Sequence, residues 1–194
     1  MEQPAPDAQT NEALDYRTRH ITVVLEDVYQ PHNAASIIRS CDNHGIQDLH
    51  VLEGRNAFSF EPEATFGAER RITLHRHRVD ASDGSRAALQ ALKDAGYRLV
   101  ATSLRPGCID LEELPLDHKV ALCFGTELQG LSEEVHDMAD IYLRIPMFGM
   151  TQSLNVSVSA AICLHRLRAR LQETSVPWRL TSEERAALAA AWRS

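Results

Sequence analysis

The stretch "IPMFGMTQSLNVSVSAA", residues 145–161, decides how the rest of the chain is read. From Ser153 to Ser159 polar and apolar residues alternate strictly, which is the period of a half-buried strand. The residues that follow, "AICLHRLRARL" from Ala161, read instead as a helix carrying Arg166, Arg168 and Arg170. As a strand, the segment puts one asparagine and three serines where a core should be. The residues around it are needed to choose.

Outward from that stretch, strand-like and helix-like segments take turns. "HITVVLEDV" (20–28) is a buried strand, and "PHNAASIIRSCDNHG" (31–45) is a helix with Pro31 at its start and Gly45 as its stop. "LHVLE" (49–53), "RITLHRH" (71–77), "YRLVATSL" (97–104), "KVALCFG" (119–125) and "IYLRIPM" (141–147) read as further strands, with 54–68 loop-like. Asp83 to Ala95 forms a helix closed by Gly96, Ser132 caps a short helix "SEEVHDMA", and "SEERAALAAAWR" after Pro177 is a final helix. Unbroken apolar strands separated by helices predict an α/β fold, a mainly parallel sheet flanked by helices on both faces. Ligands of such sheets bind beyond the carboxyl ends of the strands, so the loops after Val28, Leu104, Phe124 and Met147 matter most.

At 194 residues the chain is long enough for one domain with its own core. Residues 1–15 are acidic, hold two prolines and are expected to be disordered or frayed. Residues 16–172 are expected to form the domain proper, and 173–194 a helical extension. No apolar run approaches the roughly 20 residues of a membrane span, and no signal peptide is evident. Four scattered cysteines without a C-x-x-C pair argue against a zinc ribbon or a disulfide framework. Together these point to a cytoplasmic protein with no membrane partner.

The net charge of −7 at first disfavours a nucleic-acid partner. Four acids precede the first arginine, however, and 18 of the 20 cationic residues are arginine, the side chain suited to phosphate. Basic clusters lie at Arg17 and Arg19, at 69–78, and at Arg166, Arg168 and Arg170. Charge permits RNA without requiring it.

Several chemistries are excluded by absence of their motifs. No G-x-G-x-x-G follows a strand. "GTELQGLS" (125–132) has phosphate-loop glycine spacing, but Leu131 stands where the lysine belongs, so it is no nucleotide triphosphatase. Gly125 at a strand end lets either a ligand or a tight turn approach the backbone. His75 and His77 share a strand face, yet no third ligand is evident and the flanking arginines repel a cation, so no metal is expected. There is no G-x-S-x-G elbow.

Three segments remain, each at the end of a strand: "EDVYQPHNAASIIRS", "CFGTELQGLSEEV" and "RIPMFGMTQSLNVSVSAA". In this order they resemble the three motifs of the SPOUT-class RNA 2′-O-ribose methyltransferases, the SpoU or TrmH-like family, over about Thr18 to Arg170. "PHN" and "GMTQSLNVSV" look most like the members that methylate guanosine 18 of tRNA. The resemblance implies an α/β fold whose C-terminal part threads a deep trefoil knot, a homodimer, and S-adenosylmethionine as methyl donor. It makes "MTQSLN" a loop entering the donor pocket, with the last helix beginning inside it, so the strand reading is dropped.

By the same resemblance Thr102, Gly125, Ile145 and Leu154 contact the donor. Arg39, Asn33, Glu127, Ser153 and Asn155 serve catalysis, with Arg39 the family's candidate general base. A guanidinium normally stays protonated, so a substrate phosphate taking the proton while Arg39 orients the hydroxyl is the chemically easier assignment. Asn33 positions ribose or Arg39, and Glu127 accepts hydrogen bonds from Asn33 or the substrate loop. Arg17, Arg19, Lys93, Arg166, Arg168 and Arg170 fall where the family binds tRNA. The alternatives are 2′-O-methylation of another tRNA or rRNA nucleotide, a non-catalytic RNA-binding relative, and a small-molecule nucleotide-binding α/β enzyme.

Overall fold

A computed structural model describes residues 8–78 and 85–192. In chain order the elements are α1 (Ala8–Asp15), β1 (Ile21–Glu26), α2 (Pro31–Asn43), β2 (Asp48–Glu53), α3 (Pro62–Thr65) and β3 (Thr73–Arg78). Then follow α4 (Arg86–Asp94), β4 (Tyr97–Thr102), β5 (Ile109–Asp110), β6 (Lys119–Phe124), α5 (Glu133–Met138), β7 (Ile141–Arg144), α6 (Val156–Gln172) and α7 (Ser182–Ala191). The seven strands form one sheet in the order β3-β2-β1-β6-β4-β7-β5, and every pairing is parallel.

The strands read as buried runs occupy the centre. β1 (ITVVLE) and β6 (KVALCF) are buried along nearly their whole length because helices cover both faces. One face carries the larger core, in which Ile37, Ile38 and Cys41 of α2 meet Cys163, Leu164 and Leu167 of α6. The other face packs Leu89 and Leu92 of α4 and Val135 of α5 on Val24, Leu52 and Leu99. The edges are blunted: β5 has two residues, and β3 is TLHRHR, half-exposed and charged. β5 is the strand the sequence did not signal.

The segment 153–159 is resolved against a strand. α6 starts at Val156, and Asn155 caps it, its Oδ1 accepting from the amides of Ser157 (2.8 Å) and Val158 (3.3 Å). The buried residues of α6 are Val156, Ala160, Cys163, Leu164, Leu167 and Leu171, spaced for one helix face. Val158, apolar in the alternating pattern, is 46% exposed.

Residues 8–15 form a helix where disorder was expected; residues 1–7 lie outside the described part. α1 holds because Leu14 is buried against Leu188 and Ala189 of α7, and because Arg17, just beyond it, is fixed. The start of the helix expected from Asp83 lies partly outside the described residues, and its described part is α4.

Candidate functional site

Three loops at the carboxyl ends of β4, β6 and β7 surround a cavity of about 570 Å³, within the size range of small-ligand sites. Its lining includes Thr102, Gly125, Ile145 and Leu154, the four expected donor contacts, together with Glu127 and Ser153. The loop after β6 closes on itself: Thr126 N donates to Gly130 O (3.2 Å) and Gly130 N returns to Thr126 O (2.9 Å). A Cβ on Gly125 would lie 2.1 Å from the Gly130 carbonyl and 2.4 Å from Leu131 N. The loop's own backbone therefore demands glycine here, which is the tight-turn explanation of the two left open by the sequence. Thr102 Oγ1 donates to Cys123 O (2.8 Å), tying the ends of β4 and β6 together.

At the side of this cavity the three motif loops meet in one hydrogen-bond cluster. Asn155 Nδ2 donates to Asn33 Oδ1 (3.0 Å) and to Glu127 Oε1 (2.5 Å). Asn33 Nδ2 donates to the same Glu127 oxygen (3.2 Å) and to Gln30 Oε1 (2.6 Å). Each amide NH2 has two protons and both are used. Asn155 Oδ1 is occupied by the start of α6, so both asparagines are committed. Glu127 Oε2 is left without a partner among the described residues.

Arg39 stands apart from this cluster. It is exposed on α2, six residues and so about 9 Å along the axis from Asn33, and it does not line the cavity. Its guanidinium lies over the Phe66 ring, 4.6 Å from the centroid.

The charge on the cavity lining is largely compensated. Arg105 pairs with Glu133, and Arg144 with Asp110 (2.5 Å). Glu127 is the remaining lining carboxylate, and it favours a ligand carrying positive charge. Buried His136 also lines the cavity, with Nδ1 2.9 Å from Ser132 O and Nε2 3.2 Å from Ser103 Oγ. A carbonyl only accepts, so Nδ1 holds a proton. Behind the wall, Glu26 at the end of β1 accepts from Ser132 N and Oγ (both 2.7 Å), anchoring the entrance of α5. Gln30, Glu26, His136 and Ser103 were not singled out from sequence; Glu26 and Gln30 lie within the first motif segment, whereas His136 and Ser103 fall outside all three.

Of the six cations expected to bind RNA, three are engaged inside the protein and three face carboxylates at the surface. Arg17 is 2% exposed, donates to Ile46 O (3.1 Å), pairs with Asp42 and lies under the Trp192 ring. Arg168 is 6% exposed, donates to Tyr16 O (2.9 Å) and stacks on Trp178 at 4.0 Å. Burial pushes the proton affinity of both guanidinia down. These two are corrected to structural residues. Arg170 holds the carbonyls of Leu111 (2.8 Å) and Leu114 (2.7 Å). Arg19, Lys93 and Arg166 reach the surface but face Asp48, Asp140 and Glu112 respectively.

His75 and His77 do have neighbours the sequence did not suggest. His50 stacks on both, and His75 Nε2 lies 2.9 Å from Asp48. Among the described residues no His, Cys, Asp or Glu group has a geometry that could hold a metal ion. Nor is any described helix long and apolar enough to cross a membrane.

Comparison with known proteins agrees with this geometry. Residues 20–165 match the SpoU rRNA methylase family. The chain is 41% identical to a tRNA (guanosine(18)-2′-O)-methyltransferase of Borreliella burgdorferi, covering 93% of this chain and 81% of that one. The enzyme of the same name from Thermus thermophilus is 36% identical, with 84% of each covered. Among solved structures, the Aquifex aeolicus TrmH/SpoU tRNA modifying enzyme superposes with a TM-score of 0.82 at 31% identity, covering 95% and 92%. The SpoU methyltransferase AviRb of Streptomyces viridochromogenes, solved with AdoMet, gives 0.69 at 26% identity, covering 89% and 68%.

Proposed function

The chain belongs to the SpoU rRNA methylase family, and from that premise we propose that it methylates the ribose 2′-hydroxyl of guanosine 18 in tRNA. The family's methyl donor is S-adenosylmethionine, which supplies an electrophilic methyl on a cationic sulfur. The cavity fits that group: it is large enough, three loops line it, and its uncompensated charge is the carboxylate of Glu127. Thr102, Gly125, Ile145 and Leu154 would hold it.

The single observation that carries the reading is the cluster of Asn33, Glu127 and Asn155. One residue from each of the three motifs meets the other two beside the cavity. With both asparagines saturated, their part is to fix the loops, while the free Glu127 oxygen and Ser153 face the reactants. A 2′-hydroxyl is a weak nucleophile and must lose its proton as it attacks. Arg39 orients the hydroxyl and an adjoining phosphate, and the phosphate accepts the proton. The C-terminal path through β6, β7 and α6 is read as the family's trefoil knot.

A second copy is proposed to cover α6, where exposed Val158 and Ile162 run beside a depression lined by Leu111, Pro146 and His165. A soluble, cytoplasmic enzyme is the corresponding location.

Incubating labelled donor with unmodified tRNA should place the label on the ribose of guanosine 18; label on another nucleotide overturns the site assignment. Arg39→Ala should keep donor affinity within a few-fold and cut methylation by at least a hundredfold. Near-normal turnover removes Arg39 from the mechanism.

A further inference from the structure

Phe66 is a residue that neither the core nor the cavity accounts for. It is 75% exposed and has φ 54°, in the left-handed region, where an aromatic residue is strained. Among the described residues the only other non-glycine with positive φ is Asp27. Asp27 has an evident use, accepting from the amides of Gly54 (2.9 Å) and Asn56 (3.3 Å). Phe66 has no comparable use inside the fold. Its neighbours are nonetheless firmly held: Thr65 is buried and donates to Pro62 O (2.7 Å), and Ala68 is buried in the main core. The segment is anchored on both sides of the ring and bent so that the ring points outward.

Arg39 lies against the ring, its guanidinium 4.6 Å from the centroid. A guanidinium therefore backs the ring while most of its surface meets solvent. Four residues on, Arg70 is exposed, and Glu69 between them is occupied by Thr65 and Arg70. An aromatic ring set among cations suits a nucleobase with its phosphate. Bases stack on aromatic rings and guanidinium planes, and phosphates pair with arginine.

Resting on the reading that Arg39 acts at the reactive ribose, the structure assigns Phe66 as a nucleobase-stacking residue, its ring lying directly against the Arg39 guanidinium. A splayed-out base of the RNA, at or beside the methylated nucleotide, stacks on the ring face away from Arg39. The ring and guanidinium then hold base and ribose in one register.

The test is direct binding of an unmodified tRNA transcript to the full-length protein saturated with S-adenosylhomocysteine, which needs no turnover. Phe66→Leu should weaken RNA binding about tenfold or more, the loss expected for one stacked base. Phe66→Tyr and Phe66→Trp should retain it. Phe66→Gly suits the left-handed backbone, so it should melt no lower than the wild type and yet bind RNA as poorly as Phe66→Leu. Affinity for the methyl donor should be unchanged in all four. Wild-type RNA binding by Phe66→Leu overturns the proposal. So does a parallel loss of donor affinity, which would make the ring structural, or a change in oligomeric state, which would place it between copies. If Arg39→Ala methylates normally while Phe66→Leu still loses RNA, the Arg39 reading fails and the stacking stands. If the wild type binds no RNA, both fail together.

Discussion

At Gly125 the absence of a side chain is set by a neighbour within the same loop. The Gly130 carbonyl and Leu131 amide occupy the volume a methyl would need, so the turn cannot close over any larger residue. Gly125→Ala must push the 126–131 segment outward, and that segment is one wall of the cavity. Overpacking of this kind destabilises by about 1–3 kcal/mol. We expect donor affinity to fall tenfold or more in isothermal titration, with the helical circular dichroism of the wild type retained. An unchanged dissociation constant would show that the loop is not part of the donor site. The residue scale also explains the failed expectation for Arg17. Nothing in "DYRTRH" distinguishes a solvated arginine from one closed over by Trp192, which lies 175 positions away. Removing a partner from such a buried pair typically costs several kcal/mol, so the charge of Arg17 serves folding.

The element that departs most from its apparent chemistry is the β2–β3 ribbon. In the parallel register His50 lies opposite His75, and His77 opposite Leu52. His50 is thereby stacked on two imidazoles, with its Nδ1 3.1 Å from His77 Nε2. Burial first, then the charges of His75 and His77, lowers its pKa from 6.5 to about 4; nearby Asp48 opposes the shift. His77 is lowered too, by burial and by His75. A histidine with a depressed folded-state pKa takes up protons more readily when unfolded. Its contribution is complete above pH 6.5 and is lost as the pH falls toward 4. The melting temperature should therefore drop between pH 7 and 5, and His50→Gln should flatten that dependence. A variant with the wild-type pH profile would remove the stack as its cause. At this scale the alternation in 153–159 was also misleading, because only Val156 to Ser159 of the seven positions are helical, and along that single turn Val156 is buried while Val158 is exposed.

On the scale of the whole molecule, the question is how a chain of net charge −7 binds RNA. Most of the arginines expected to do so are occupied internally. Arg39 and Arg55 are exposed, and neither enters an ion pair among the described residues. Arg55 lies on the loop after β2, whose amides Asp27 holds, at the same sheet end as the cavity. RNA affinity should fall linearly with salt on logarithmic axes. Arg55→Gln should lower that slope by about one, the signature of one phosphate contact. Arg166→Gln should change it less, since Glu112 already neutralises that side chain at 2.6 Å. The reverse order would return RNA binding to the last helix.

The sequence by itself determined the alternation of strands and helices, the parallel sheet and the strand ends whose loops matter, while the residues named at those loops came from the resemblance of its three motifs. Those features are local: hydrophobic runs, caps and glycines act on near neighbours, and the motif residues stand at strand ends wherever the chain turns. Only the tertiary structure decided that Asn33, Glu127 and Asn155 saturate one another, that Arg17 and Arg168 are buried, that α1 docks on α7, and that Phe66 stands exposed against Arg39. Each of these depends on contacts between positions far apart in the chain, where burial rather than residue type fixes what a side chain does.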